Sequence, residues 1–480
     1  MTRLLPFQFA PIRDGRLLLV NECGDYIFVS SNCFEELISG SITEENPQYY
    51  DLLSRLFIQA DDGDDFAIEK TAAKYRSRKG YLRDFTSLHM LVVTLRCNQR
   101  CRYCQVSCAY ENDRRYDMTT PIAIKIVDSI FESPSKNIKI EFQGGEPTLN
   151  WEAVRQTVLR AEEKKITSDK KISFVLCTNL TGIAKEQLIF CRDHNICISA
   201  SLDGPKEVHD ENRELRSGGS AYDLFVKNLS LAREIIGPEA VDALMTVTKR
   251  SLAKLPQIID QYLALGFNGV FIRALNPYGF AAQRANELGY GAAEFVENYS
   301  GALEYIFSIN KTRFFPEHFA SILLSRILTP FSTGFVDLQS PAGLGLSGVI
   351  YDYDGSVYPS DEARMLNRMN DSHFYLGNIL HHSYKAIFGG QKLREIIRQT
   401  LLEVTPSCSR CVYQAYCGAD PVRNYLESKR VVRKMEGTPF CQKHKGIFNY
   451  LFSLLENITQ ERENIIWSWI CGSKLTDAHA

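Results

Sequence analysis

Short apolar runs alternate with longer amphipathic stretches through the middle of the chain, and this alternation predicts its fold. Six runs have the length and composition of buried strands: 90–95, 138–142, 172–177, 196–201, 243–247 and 270–275. Five stretches between them carry apolar residues at helical spacing: 121–131, 153–163, 182–194, 222–236 and 253–265. Such alternation predicts a parallel sheet with right-handed crossovers. The predicted fold class is therefore α/β, with a partial (β/α)6 barrel of the TIM type whose functional residues gather at the carboxyl ends of the strands.

Residues 1–85 carry a different pattern and are predicted to form a small α+β unit. Two strands, at 15–20 and 26–29, precede two short amphipathic helices at 33–38 and 49–57. This order is winged-helix-like and resembles the leader-peptide recognition elements of peptide-modifying systems, in which the precursor adds a strand to the sheet edge. A plain cap on the larger domain is the alternative interpretation. The polar stretch 60–84 is interpreted as a linker or a solvated hairpin.

The sequence motifs divide residues 86–480 into three further parts. Residues 86–300 are assigned to the barrel, 301–450 to a second cysteine-bearing domain, and 451–480 to a closing helix and tail. Residues 277–335 are helical and aromatic-rich, which is typical of core. The helical period of apolar residues over 447–458 predicts the helix that packs on this core.

Composition and charge exclude several classes of protein. Hydrophobic residues make up 45% and charged residues 23% of the 480 positions, which is ordinary for a globular protein. The formal net charge of −2 gives no electrostatic reason to expect nucleic-acid binding. The sequence contains no apolar stretch long enough to cross a membrane and no clean signal-peptide core near its N-terminus. A cytoplasmic location is therefore expected, without nucleic-acid or membrane partners.

Fourteen cysteines are many for such a chain, and their grouping indicates metal chemistry. Cys97, Cys101 and Cys104 follow the first predicted strand at C-x3-C-x2-C spacing. Three thiolates on a four-iron cluster would leave one iron open to a ligand that is not protein. Structural zinc takes four ligands, so a zinc knot that includes Cys108 is the alternative. The six dispersed cysteines are interpreted as small buried thiols: Cys23, Cys33, Cys177, Cys191, Cys197 and Cys471.

The cysteine motif, with Tyr103 just before its last cysteine, resembles the signature of radical S-adenosylmethionine (SAM) enzymes. In that family the open iron binds the amino and carboxylate groups of SAM. The reduced cluster cleaves SAM to a 5'-deoxyadenosyl radical, which abstracts a hydrogen atom from the substrate. The resemblance implies that Cys97, Cys101 and Cys104 hold a 4Fe-4S cluster.

Motifs at three further strand ends strengthen this resemblance. Gly144-Gly145-Glu146-Pro147, about 40 residues after the cysteines, is similar to the family motif that binds the SAM amino group. The resemblance also implies that Asn179 and Ser201 lie near the SAM ribose or carboxylate, and that Arg213 pairs with the carboxylate in a fork geometry. Local turns and a helix start are the alternative interpretation of the segment 203–213.

A second cysteine group lies near the C-terminus. Cys408, Cys411, Cys417 and Cys441 form a complete ligand set for a closed cluster or for zinc. The spacing resembles the SPASM extension of peptide-modifying radical SAM enzymes, which usually has seven cysteines and two auxiliary clusters. Serine stands at two of the three missing positions, Ser340 and Ser360, and Pro421 at the third. One auxiliary 4Fe-4S cluster is therefore expected, because a hydroxyl is a poor iron ligand beside a thiolate.

Asp361 follows one of these serines. Sulfatase-maturating enzymes carry an acid at the corresponding place, and the resemblance implies a general base there. A solvated loop acid is the alternative interpretation of Asp361.

The motif segments 97–110 and 141–147 look similar to the B-type radical SAM maturase of the His-Xaa-Ser system. This resemblance implies modification of a ribosomally made precursor peptide, beside a second radical SAM maturase and an electron donor such as flavodoxin or ferredoxin. The rivals are an anaerobic sulfatase-maturating, formylglycine-forming enzyme and a non-catalytic zinc-bearing module that binds peptides.

Overall fold

The N-terminal region combines a small sheet with short helices. The structure, a computed structural model, describes residues 2–12, 15–59 and 65–473. Its first elements are strands β1 (Arg3–Leu4), β2 (Phe7–Pro11), β3 (Arg16–Asn21), β4 (Tyr26–Ser30) and β5 (Ile58–Gln59), and helices α1 (Ser31–Ser39), α2 (Tyr49–Ser54), α3 (Phe66–Arg78) and α4 (Tyr81–Asp84). Strands β2, β3 and β4 form an antiparallel sheet in that order, and β1 pairs with β5. The two predicted strands and both predicted helices are present, and β2 adds a third strand to the sheet.

Helix α3 overturns part of the linker prediction for 60–84. Residues 60–64 lie outside the described residues, but 66–78 form a helix of 13 residues. Ala67 is its only fully buried residue, so the apolar stripe that marks a helix in sequence is absent. Polar contacts fix its C-terminal end instead: Arg78 Nη2 donates to the carbonyl of Gly24 at 3.0 Å.

The middle of the chain forms the predicted parallel sheet. The sheet strands of this region are β6 (Leu88–Thr94), β8 (Asn137–Gly144), β9 (Lys171–Thr178), β10 (Ile196–Ser201), β12 (Val241–Thr246) and β13 (Ile272–Arg273). Two further strands, β7 (Gln99–Cys101) and β11 (Arg213–Leu215), form a separate antiparallel pair. The helices of this region are α5 (Thr120–Ile130), α6 (Trp151–Ile166), α7 (Lys185–Asp193), α8 (Lys206–Asn212), α9 (Ala221–Ile236), α10 (Lys249–Leu252) and α11 (Leu255–Ala264). Strands β6, β8, β9, β10, β12 and β13 are neighbours in this order, and every pair is parallel. All six predicted strands are confirmed, although the sixth has only two paired residues.

The C-terminal region continues the same sheet. It comprises α12 (Gly279–Gln283), α13 (Ala285–Leu288), α14 (Ala292–Asn310), α15 (His318–Leu328), β14 (Gly348–Tyr351), β15 (Ser356–Tyr358), α16 (Asp361–Arg368), β16 (Gly377–Asn378), α17 (Tyr384–Phe388), α18 (Gln391–Gln399), α19 (Pro421–Ser428), α20 (Pro439–Glu456) and α21 (Gln460–Cys471). Strand β14 pairs in parallel with β6, and β15 and β16 follow antiparallel, which gives a sheet of nine strands. The pattern of apolar runs did not predict this extension.

Helices α14, α15, α20 and α21 complete the core. The predicted closing helix is present as α20. Helix α21 packs against α14 through a stacked pair, Phe307 and Trp469, with ring centroids 4.9 Å apart. Two dispersed cysteines contradict the expectation of buried thiols, because Cys197 and Cys471 are exposed. None of the helices in the described part of the chain combines the length and hydropathy that crossing a membrane requires.

Candidate functional site

The motif cysteines lie in a loop at the carboxyl end of β6, where the barrel prediction placed them. Strand β7 within this loop pairs antiparallel with β11, so that Cys101 stands opposite Arg213. An ion pair anchors the start of the loop: Arg96 Nε lies 2.7 Å from Asp117 Oδ1, and its Nη2 donates to Asp117 Oδ2 at 2.9 Å. At the other end, the carbonyl of Cys104 accepts a hydrogen bond from the backbone N–H of Phe280 at 2.9 Å.

Four thiols, not three, meet in this loop. A hydrogen bond to Cys108, together with burial, raises the pKa of Cys104 well above its usual value. Burial raises the pKa of Cys101 to about 12, although the charge of Arg213 acts in the opposite direction. Thiols held in this way need a metal or a nearby cation to become thiolates.

The donor set fits an iron–sulfur cluster. In the described part of the chain, no three Cys, His, Asp or Glu side chains converge as the ligands of one metal ion do. The thiolates of a four-iron cluster bind separate iron atoms, so they need to share a loop and not a single point. Cys97, Cys101 and Cys104 share such a loop at one strand end.

Two guanidinium groups border the thiols. Arg213 Nη1 lies 4.0 Å from Cys101 Sγ, and Arg216 Nη2 lies 3.6 Å from Cys108 Sγ. Arg216 Nε also donates to the Cys97 carbonyl at 3.1 Å. Their positive charge favours the thiolate form, which is the form that binds iron. Sequence reasoning missed Arg216; its position three residues after Arg213 was the available signal.

Tyr103, Asp203 and Arg213 form one buried cluster behind the loop. Tyr103 Oη donates to Asp203 Oδ2 at 2.6 Å, and Arg213 Nε lies 3.2 Å from the same oxygen. The guanidinium of Arg213 also lies over the Tyr103 ring, 5.4 Å from its centroid. The carboxylate partner of Arg213 is thus Asp203, and its pairing with a SAM carboxylate stays a prediction.

Gly144 and Gly145 let the end of β8 dock against the cysteine loop. Gly144 has φ of +136°, and a Cβ there would lie 2.0 Å from the carbonyl oxygen of Thr94. A Cβ on Gly145 would lie 2.2 Å from the carbonyl oxygen of Arg96. The backbone N–H of Gly145 uses this proximity to donate to Thr94 at 2.8 Å. No other residue type fits this approach without displacing the loop.

Glu146 ties two strand ends together. Its buried carboxylate accepts hydrogen bonds from Thr148 Oγ1 at 2.8 Å, from Thr178 Oγ1 at 2.7 Å and from the backbone N–H of Asn179 at 2.8 Å. Burial raises the pKa of this carboxyl, and the hydrogen bonds oppose the rise. Pro147 begins a 3-10 turn, Pro147–Asn150, directly after it. Contact of Glu146 with SAM stays a prediction.

Asn179 contacts the cysteine loop directly. Its Nδ2 donates to Asn98 Oδ1 at 2.8 Å and lies 3.9 Å from Cys97 Sγ. Ser201 lies one strand further along, at the end of β10, and is half-buried. The predicted ribose contacts of both residues stay predictions.

A cavity of about 470 Å³ joins the barrel interior to the C-terminal region. Polar residues of the strands form one wall, among them Glu141, Gln143 and Arg273. Glu141 accepts a hydrogen bond from Gln143 Nε2 at 2.6 Å. Buried parallel strands are usually apolar on both faces, so a polar inner face indicates a ligand space.

Carboxylates from the C-terminal region form the opposite wall. Asp361 lines the cavity, and its Oδ1 lies 2.9 Å from Arg364 Nε. Burial, reinforced by Asp337 and Asp361, raises the pKa of Glu362 to about 8. Burial raises the pKa of Asp420 to about 6. Asp361 therefore lies in a cavity and not in a solvated loop, but its role as a base stays a prediction.

The second cysteine group gathers between a 3-10 turn, Cys408–Arg410, and the start of α20, where Thr438 caps the helix by accepting from the backbone N–H of Cys441. Burial raises the pKa of Cys417 to about 12, and the neighbouring Cys411, Cys408 and Cys441 add to the rise. The four thiols are thus close enough to repel one another as thiolates, which a metal centre would relieve.

The serine positions have separate surroundings. Ser340 Oγ accepts a hydrogen bond from the backbone N–H of Leu402 at 2.8 Å and donates to Glu403. Ser360 caps α16, and together with Pro421 it lines the cavity. Two of the three positions that lack cysteine therefore border the cavity.

Comparison with known proteins places this geometry in a family. The sequence profile of the Radical SAM superfamily matches residues 91–261, which span β6 to α11. Residues 91–261 therefore form a radical SAM domain. The chain is 25% identical over 378 residues to the cysteine-type anaerobic sulfatase-maturating enzyme of Clostridium perfringens, covering 75% of this chain and 95% of that protein. It is 26% identical over 157 residues to the radical SAM cyclopropyl synthase TigE of Paramaledivibacter caminithermalis, covering 30% of this chain and 32% of TigE.

Solved structures share the fold. Native anSMEcpe with bound AdoMet has a TM-score of 0.63 at 20% identity, covering 77% of this chain and 98% of that one. SuiB of Streptococcus suis bound to its precursor peptide SuiA has a TM-score of 0.54 at 13% identity, covering 91% of this chain and 99% of SuiB. The predicted α/β fold is confirmed by these matches.

Radical SAM enzymes use a 4Fe-4S cluster and SAM, and both expected cofactors follow from the family. When bound, they supply a carbon-centred radical that abstracts hydrogen. The residues of this chain hold the loop, supply charge beside the thiols and line the neighbouring cavity.

Proposed function

We propose that this enzyme modifies a ribosomally made precursor peptide of the His-Xaa-Ser type. The observation that carries the proposal is the cavity between the polar inner face of the barrel and the C-terminal region. Ser360 and Pro421 line it, where relatives with a full SPASM extension would carry cysteines. A peptide segment can occupy this space, because no ligand set for a second auxiliary cluster remains there.

The N-terminal sheet supports a peptide substrate. The structural match to the peptide-bound SuiB covers 91% of this chain, against 77% for anSMEcpe, and the added coverage favours a likeness that reaches the N-terminal region. One edge of the sheet is occupied by side chains: Gln48 Nε2 donates to the Phe28 carbonyl at 2.7 Å, and Arg55 Nη1 to the Tyr26 carbonyl at 2.8 Å. The other edge, β2, has no strand beside it among the described residues. The precursor is therefore expected to add a strand along β2.

Cys408, Cys411, Cys417 and Cys441 are assigned in this proposal to one auxiliary 4Fe-4S cluster. The support is their mutual electrostatic contact and the serine and proline at the other positions. A second radical SAM maturase of the same system and a flavodoxin or ferredoxin electron donor are the proposed partners.

Formylglycine formation is the second candidate function. The sequence match to the Clostridium perfringens enzyme favours it, since that match covers 95% of a protein named for sulfatase maturation. The position of Asp361 in the cavity is compatible with this function as well.

Anaerobically reconstituted protein incubated with SAM and dithionite tests both functions. Two probes are compared by mass spectrometry: a precursor peptide with His-Xaa-Ser repeats and a sulfatase peptide with its target Cys or Ser. Formation of 5'-deoxyadenosine with a mass shift on the first probe alone supports the proposal. A formylglycine mass on the second probe alone establishes the rival, and the absence of 5'-deoxyadenosine under all conditions contradicts both.

A further inference from the structure

Two guanidinium groups meet beside the C-terminal cysteines. Arg326, at the end of α15, donates from Nε to the carbonyl of Tyr416 at 2.9 Å. Arg78, the last residue of α3, donates from Nη1 to the carbonyl of Arg326 at 2.7 Å and lies over the Tyr416 ring, 5.5 Å from its centroid. Both side chains border the same small cavity as Cys417.

Neither guanidinium has a carboxylate partner within ion-pair distance among the residues that the structure describes. Glu22 and Glu403 border the same cavity, but Glu403 pairs with Lys79 at 2.6 Å. Arg78 and Arg326 instead use backbone carbonyls as acceptors. Carbonyls satisfy N–H groups but do not neutralise charge.

Two adjacent cations without a counter-ion are unfavourable in a partly buried site. Burial and the neighbouring Arg78 lower the pKa of Arg326 to about 10, whereas Cys417 favours its charged form. Cys417 lines the same cavity as both guanidinium groups, so an anionic cluster bound there would balance their charge. A four-iron cluster held by four thiolates is anionic in both of its oxidation states.

We propose that Arg78 and Arg326 are positioning residues of the auxiliary centre, which raise its reduction potential and make helix α3 part of that centre. Reduction adds one negative charge to a cluster, so a nearby cation stabilises the reduced form. The inference rests on the proposed assignment of Cys408, Cys411, Cys417 and Cys441 to a cluster. Through Arg78, the N-terminal region would then contribute to the reduction potential of this centre together with the cysteine domain.

The test uses the full chain in a background that carries Cys97→Ala, Cys101→Ala and Cys104→Ala, so that only the auxiliary centre contributes to the signal. The midpoint potential is measured by electron paramagnetic resonance during a redox titration, and iron is counted in each sample. Arg78→Gln removes the charge, Arg78→Lys keeps it, and Arg326→Gln tests the second cation. Arg76→Gln removes the same charge from an exposed position on the same helix.

Lower potentials for Arg78→Gln and Arg326→Gln, with Arg78→Lys and Arg76→Gln close to the background protein, are the expected result. If Arg78→Gln fails to take up iron while Arg78→Lys loads normally, positive charge is needed to hold the cluster, which also supports the inference. An unchanged potential in fully loaded Arg78→Gln and Arg326→Gln overturns it. So does the loss of iron from both Arg78 variants, because contact and not charge would then matter. The absence of any iron–sulfur signal in the background protein would instead refute the auxiliary cluster of the proposed function.

Discussion

The two cysteine groups are built by opposite means. The group at Cys97–Cys104 lies at the end of a buried strand, and backbone hydrogen bonds to the neighbouring strand end hold its loop. The group at Cys408–Cys441 lies between a 3-10 turn and the start of a helix, in a part of the sequence that follows the barrel strands. In the proposed assignment, the three motif thiols would leave one iron open to an external ligand, whereas the four thiols of the second group would enclose their cluster. The comparison indicates that neighbouring strand ends hold the first group in place, whereas a turn and a helix start hold the second.

The largest effect is expected from removing the three motif thiols. Cys97→Ala, Cys101→Ala and Cys104→Ala together are expected to abolish 5'-deoxyadenosine formation and to lower bound iron from about eight to about four per chain. Liquid chromatography and iron analysis measure the two quantities. Cys108→Ala is the matched control, since Cys108 lies in the same loop but outside the three-ligand motif. Loss of the SAM cluster in the control would favour the four-thiol zinc-like interpretation.

Removing the other group should separate the two functions. Substituting Ala for Cys408, Cys411, Cys417 and Cys441 is expected to leave about four irons per chain and to keep SAM cleavage while product formation is lost. The reason is that, in the proposed assignment, SAM would bind only the cluster of Cys97, Cys101 and Cys104. Iron content near about twelve in the unmodified protein would contradict this division by revealing a third cluster.

The third prediction concerns the cavity between the barrel interior and the C-terminal region. Asp361→Asn is expected to reduce modified peptide by about 100-fold, because general base catalysis typically contributes that much, while 5'-deoxyadenosine formation continues. Quantitative mass spectrometry of both products in one sample provides the measurement. Equal decreases in both products would show that Asp361 supports the fold of the site and does not act on the substrate.

The smallest effect concerns the backbone contact behind the open site. Gly145→Ala is expected to destabilise the protein by about 1–3 kcal/mol, because its Cβ would overlap the carbonyl of Arg96. Urea denaturation measures the change. Gly301→Ala is the matched control: nothing lies within 4 Å of a Cβ at this position in helix α14, so alanine should stabilise it by up to about 1 kcal/mol. A Gly145→Ala protein as stable as the control would contradict the close approach.

The barrel could be predicted from sequence because its strands are apolar runs that end at the motifs. Residues whose partners come from distant segments escaped prediction. Arg216 approaches Cys97 only because β11 folds back on β7, and Asp203 meets Tyr103 across about 100 residues of chain. Helix α3 carries no apolar stripe, since polar contacts fix it. Periodicity reports burial along one segment, and it carries no information on which segments meet.

Gly348 of β14 pairs with Leu88 of β6 in the central sheet. The first barrel strand therefore depends on a segment that follows the barrel in the sequence. A protein shortened to end at residue 300 would keep every motif for SAM but would leave one edge of β6 without its neighbour. An apolar edge strand of this kind recruits strands from other chains. The shortened protein is therefore expected to aggregate, and the native chain cannot complete its catalytic half during synthesis until residue 351 has been made.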